Sequence, residues 1–203
     1  MFTPSRQLLR WLIKPVVFSA SLLPFSLLLI GAFNDQLGAN PVETLTHQTG
    51  LWGLYFLLIT LSVTPVRQLT GAAWLVNLRR MLGLFAFFYA CLHLLVYLWL
   101  DQYFTWNSIV EDVVKRPYIT VGFTAWLLLL PLALTSTKAA IKRLGKNWKQ
   151  LHKLVYMTVM LVMLHFIWLV KADYAEPVLY LLLFLLLMLA RTRLFNQIKQ
   201  LVS

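Results

Sequence analysis

The residues of this 203-residue chain that could do chemistry are four histidines, one cysteine and seven acids. Three of the histidines stand in places where an ionisable group is expensive. His93 lies in "YACLHLLVY", and His152 and His165 lie in "LHKLVYMTVMLVMLHFIW"; both stretches are apolar enough for lipid. Polar groups kept at membrane depth usually serve a function. His47, in "ETLTHQTG", reads as a loop histidine just ahead of an apolar block. Cys91 alone rules out an internal disulfide, and without a C-x-x-C-H there is no covalent haem attachment; Cys91 reads as helix packing. No acid falls within an apolar block, which argues against a proton relay of alternating acids and histidines. Structural zinc sites take four ligands, often thiolates. Neutral imidazole on facing helices, by contrast, is a standard axial ligand of haem iron. Met157, Met160 and Met163 read as packing.

The elements that must position these histidines follow from composition. The chain is 60% hydrophobic and 12% charged, with a mean hydropathy of +0.74, against roughly 25% charged residues in a soluble domain. A membrane-crossing helix needs about 20 mostly apolar residues, and such blocks fall near 11–33, 50–69, 80–100, 117–135, 151–170 and 177–195. The expected fold is an all-α integral membrane protein, a six-transmembrane-helix bundle forming one domain over 1–203. The first block is too long for a signal peptide and ends without a clear cleavage site, so it reads as a retained span. No internal sequence repeat is evident, and the Trp residues read as membrane-interface belts, among them Trp52 and Trp148.

The net charge of +11 does not indicate nucleic acid, because the cations flank the apolar blocks. With a cytoplasmic N-terminus, that side collects all of the 18 Lys and Arg residues except Lys115, Arg116 and Lys171. The other side holds every acid: Asp35, Glu43, Asp101, Glu111, Asp112, Asp173 and Glu176. Lys/Arg bias orients short-loop membrane proteins, so both termini are expected in the cytoplasm.

Spans three and five run in the same direction. His93 follows Arg80 by as many residues as His165 follows His152, a rise of about 20 Å. His93 and His165 therefore belong at one depth, in the outer half, where they could clamp one iron between two helices. His152 and the Arg79/Arg80 pair belong at the inner edge, where a haem propionate or a second iron would sit. The same spacing turns an ideal helix by about 220°, so a straight fifth span would not aim both of its histidines alike. Interhelical hydrogen bonding remains the rival role for these side chains.

The chain resembles the MsrQ (YedZ) family, haem-binding membrane subunits of the bacterial periplasmic methionine sulfoxide reductase system. The resemblance is carried by "LGANPVE", "HQTG", "LLITLSVTPVR", "RRMLGL", "LHLLVY", "KRPYITVG", "LALTSTKA" and "RLGKNWKQLHKLVY" in order along the chain. It implies a ferric-reductase-like transmembrane domain in the bacterial inner membrane. It also implies one or two b-type haems, with His93 and His165 as the axial pair and His152 as the family's inner-level histidine. Relatives with two haems carry a partner histidine near the position of Arg79 or Arg80, where this chain has arginine. The resemblance further implies FMN, at a site these residues do not locate. Electrons would come from the quinone pool or a cytosolic flavin reductase and pass to a periplasmic MsrP-type molybdenum subunit. That subunit would return methionine sulfoxide in oxidised proteins to methionine, and this chain would have no catalytic pocket of its own. The basic loop "KAAIKRLGKNWKQLHK" suits either a donor or anionic membrane lipid. A small transporter or assembly subunit, with purely structural histidines, is the competing function.

Overall fold

The computed structural model describes residues 4–170 and 172–191, all helix and connecting turns with no strand among the described residues. Eight helical elements follow one another: α1 Arg6–Phe33, α2 Pro41–Thr70, α3 Ala73–Asp101, α4 Trp106–Lys115, α5 Pro117–Leu134, α6 Lys138–Leu144, α7 Lys146–Leu169 and α8 Ala175–Leu189. Among these, α1, α2, α3, α5 and α7 are long and apolar enough to cross a membrane. The 15-residue apolar α8 is the described part of the sixth expected block; residues 192–195 of that block, with Lys171, Arg193 and Lys199, lie outside the described residues.

Local chemistry sets the helix ends. The Asn40 side chain accepts from the Glu43 N–H while its amide donates to the Glu43 carboxylate at 3.0 Å, and Pro41 opens the helix. This reciprocal cap followed by proline is a strong start signal, and it places the start of α2 well before residue 50. His47 is therefore helical, not in a loop. Trp52, about three turns into the helix, packs on Tyr55, Phe56 and Tyr89. At the other end, Gly71 closes α2 with φ 67°, a left-handed turn that suits glycine. The segment between the third and fourth expected spans contains α4, which buries Ile109 and runs directly into α5.

Two antiparallel hairpins carry the architecture. In one, Thr46 near the start of α2 meets His93 near the end of α3, and Thr64 near the end of α2 meets Arg79 near the start of α3. In the other, Tyr118 at the start of α5 meets His165 late in α7, and Thr135 just past α5 meets His152. Leu54, Leu57, Leu61, Phe85, Ala86, Tyr89, Val159 and Met163 form the buried core between them. Helix α8 lies along α2, with the Tyr55 and Tyr180 hydroxyls 2.9 Å apart. Helix α1 is largely exposed and is held mainly where the Tyr89 hydroxyl donates to the Ser21 carbonyl and accepts from the Phe25 N–H.

This arrangement gives the bundle two chemically different ends. The start of α2, the end of α3, α4 and the first turn of α8 carry acids, with the Glu111–Lys115 and Asp112–Arg116 pairs in or beside α4. The opposite end carries Lys14, Arg79, Arg80 and Arg191 together with the basic α6.

Candidate functional site

His93 and His165 meet between the two hairpins at the acidic end. Their ring centres are 6.1 Å apart and their planes nearly perpendicular, at 85°. Each ring is held by a backbone carbonyl of its own hairpin: Nδ1–H of His93 donates to Thr46 O at 2.8 Å, and Nδ1–H of His165 to Tyr118 O at 2.7 Å. A carbonyl can only accept, so both Nδ1 atoms carry the proton and both Nε2 atoms keep a lone pair. Neither Nε2 has a hydrogen-bond partner among the described residues. A ligating imidazole is normally fixed in this way, through the nitrogen that does not bind the metal.

Glycine makes these contacts geometrically available. Helical side chains lean toward the N-terminus, so a side chain at Gly50 would cover the Thr46 carbonyl, and one at Gly122 would cover the Tyr118 carbonyl. A Cβ on Gly50 would stand 3.1 Å from the His93 ring, and one on Gly122 only 2.7 Å from His165 Nδ1. In both hairpins the histidine follows its carbonyl residue by 47 positions, and the glycine sits one turn after that residue. One numbering offset therefore relates the two carbonyls, the two glycines and the two imidazoles. The repeat that the sequence hides is present in the site.

The same offset relates Arg80 to His152, but at the basic end the two hairpins differ. His152 occupies a break in α7, between Lys146–Leu151 and Leu154–Leu169, which removes the rotational objection raised by a straight helix. Its ring stacks on Trp148 at 4.0 Å, and Nε2 lies 3.1 Å from Thr135 Oγ1. The Thr135 hydroxyl donates to the Pro131 carbonyl at 2.6 Å, so Nε2–H of His152 is the donor to Thr135. Arg79 donates to Thr64 Oγ1. Arg80 turns away, lining a groove of about 490 Å³ between α1 and α3 with Lys14, Phe18, Asn77 and Phe85. The structure thus brings His93 and His165 together, whereas His152, Arg79 and Arg80 each face different neighbours.

The donor set fits a bis-imidazole metal. Metal–imidazole bonds of about 2.0–2.1 Å, with the ring centre about 1.1 Å behind the nitrogen, put two rings across one ion about 6 Å apart. The carbonyl partners and the two glycines escaped sequence reasoning because backbone atoms have no letter. The recurrence of a glycine in "HQTG" and "ITVG", each at a fixed distance before a buried histidine, was the available clue.

Comparison with known proteins points the same way. A sequence model described as ferric reductase like transmembrane component matches residues 49–172, a segment that includes His93, His152 and His165. A protein-methionine-sulfoxide reductase heme-binding subunit MsrQ from Herminiimonas arsenicoxydans is 52% identical over 183 residues, 89% of this chain and 84% of that protein. The protein of that name from Xanthomonas campestris pv. campestris is 61% identical over 147 residues, 72% and 67% of the two chains. One from Xanthomonas oryzae pv. oryzae is 54% identical over 173 residues, 82% and 79% of the two chains. The chain belongs to the MsrQ family of ferric-reductase-like transmembrane proteins.

Proposed function

We infer that the protein is a transmembrane electron-transfer subunit that binds haem between its two hairpins, through Nε2 of His93 and Nε2 of His165. The observation that carries this reading is the matched pair of imidazoles, 6.1 Å apart and each tethered through Nδ1. The names of the relatives, heme-binding subunits of a methionine sulfoxide reductase, agree with it. A haem held there supplies a one-electron couple. The chain's own part is to fix two tautomers with the Thr46 and Tyr118 carbonyls and to give the rings space at Gly50 and Gly122.

The fuller reading is a single domain of six spans in a bacterial inner membrane, with both termini in the cytoplasm. Electrons enter from the quinone pool or a cytosolic flavin reductase and leave on the acidic side to a molybdenum-containing MsrP-type partner that repairs oxidised methionine. His152 is the candidate for a second haem, and ligation through its Nε2 would require breaking the Thr135 bond; FMN is a further expected cofactor. The segments Asn34–Gly50 and Asp101–Arg116, including α4, are the proposed partner surface. In the rival reading, a transporter or assembly subunit, the histidines merely join helices. Their bonds to Thr46, Tyr118 and Thr135 suit that role too, but the Nε2 pair, unpartnered among the described residues, and the heme-binding relatives favour electron transfer. The absorption spectrum of the purified full chain separates the two. Electron transfer requires a Soret band with sharp α and β bands on reduction, lost or strongly shifted in His93→Ala and His165→Ala. A colourless protein after expression with ample haem would sink the proposal.

A further inference from the structure

Two arginines from different helices converge on one turn of α2. Arg191, just past α8, donates to the Leu61 carbonyl and, at 2.8 Å, to the Tyr156 hydroxyl; its guanidinium carbon stands 5.7 Å from the Tyr156 ring centre. Arg79, from α3, donates to Thr64 Oγ1. Leu61 and Thr64 are three residues apart and so share a helix face. The two guanidiniums lie within each other's field and repel. Like charges brought together without a counter-ion repel, and no Asp or Glu among the described residues pairs with either. The ion pairs among the described residues are Glu111–Lys115 and Asp112–Arg116, both at the other end of the bundle. Glu43 in the first turn of α2 and Glu176 in the first turn of α8 are about 22–27 Å away along their helices. Positions 171 and 192–203 contain no Asp or Glu.

The cluster is also short of hydrogen-bond acceptors. Arg191 Nε is buried without a partner among the described residues, and so is Thr60 Oγ1, one turn before Thr64 on α2. A buried donor left unpaired is costly, and native structures rarely tolerate one without a reason. Two guanidiniums without a counter-ion and an orphaned N–H between them suit one kind of partner, an anionic oxygen group, and the unpaired Thr60 hydroxyl lies one turn further along α2.

We propose that Arg79, Arg191, Thr60 and Thr64 form a cradle for the carboxylate or phosphate of a cofactor bound at the basic end of the bundle. The cradle rests on the electron-transfer reading only for the identity of the molecule that carries the anion. Its Arg191 half comes from beyond α8, outside the family-matched residues 49–172, so it is an addition to the histidine centre and lies at the other end of the bundle.

The test is a titration of detergent-purified, haem-depleted full chain with four probes, followed by absorption and by quenching of flavin fluorescence. The probes are haem b, its dimethyl ester, FMN and riboflavin. The cradle predicts that one anionic probe binds about tenfold or more tightly than its neutral analogue. A preference for haem b over the ester assigns a propionate; a preference for FMN over riboflavin assigns a phosphate. Arg191→Gln and Arg79→Gln should each erase that preference, Arg191→Lys should keep part of it, and Thr60→Val should lower it while leaving the fold intact. Equal binding of anionic and neutral probes by the wild type overturns the cradle, and so does a preference that survives both arginine-to-glutamine changes. Haem binding without discrimination would remove the cradle and leave the electron-transfer reading standing. Discrimination of FMN from riboflavin with no haem bound would do the reverse.

Discussion

At the scale of single residues, the site depends on what is missing from two of them. A glycine inside a helix destabilises it by roughly 0.5–1 kcal/mol relative to alanine, so Gly→Ala at an unconstrained position would stabilise the protein. At Gly122 the sign reverses, because the new Cβ would lie 2.7 Å from His165 Nδ1 and 2.9 Å from Cε1. The ring would have to leave the Tyr118 carbonyl or α5 would have to move away from α7, an overpacking cost of about 1–3 kcal/mol. Gly50→Ala meets the His93 ring at 3.1 Å and should do less damage. The expected order of haem retention, read as Soret absorbance per mole of protein, is wild type, then Gly50→Ala, then Gly122→Ala. A Gly122→Ala protein with the wild-type band and raised thermal stability would show that the His165 ring does not depend on its carbonyl tether.

At the scale of elements, Tyr89 does for α1 what the carbonyls do for the histidines. Its fully buried hydroxyl stands between the Phe25 N–H and the Ser21 carbonyl, a pair that bond each other directly in a regular α-helix. Pro24, which has no N–H to donate, lies within the same turn. Tyr89→Phe removes both of these interhelical hydrogen bonds, each worth about 0.5–1.5 kcal/mol, measurable as a lower melting temperature in detergent; an unchanged melting temperature would show that α1 docks by apolar contact alone. The apolar blocks, their direction and the common depth of His93 and His165 were legible in the sequence, because lipid demands long uncharged runs and a helix has a fixed rise. The early start of α2 was legible too, in Asn40-Pro41-x-Glu43, but block hydropathy overlooks a polar first turn. Helix α4 is short and only half apolar, so a search for spans passes over it. Arg191 registered only as one inner cation, since its partners, the Leu61 carbonyl and Tyr156, are brought to it by the packing of α2, α7 and α8.

At the scale of the whole molecule, function turns on which end of the bundle faces out. The histidine pair sits at the acidic end, beside Thr46 and Tyr118, while Arg79, Arg191 and the basic α6 occupy the other. If Lys and Arg are retained in the cytoplasm, the proposed haem lies near the outer surface, within reach of a periplasmic acceptor. The inverse orientation would put it on the wrong side for that partner. Fusing alkaline phosphatase, which is active only after export, to successive points along the chain tests this. Fusions after Gly38 and Phe104 should be active, and those after Gly71 and Gly145 inactive. A fusion after Ser203 adds a separate test, because α8 has only 15 described residues, about 22 Å of helix against a hydrocarbon core of about 30 Å. If the last block crosses, that fusion is inactive and both termini share the cytoplasm. Activity there, with the other four fusions as expected, would mean five crossings, with Arg191 left on the outer side of the membrane. The arginine pair could not then sit at the basic end, so the same fusion also tests the placement of the anion cradle.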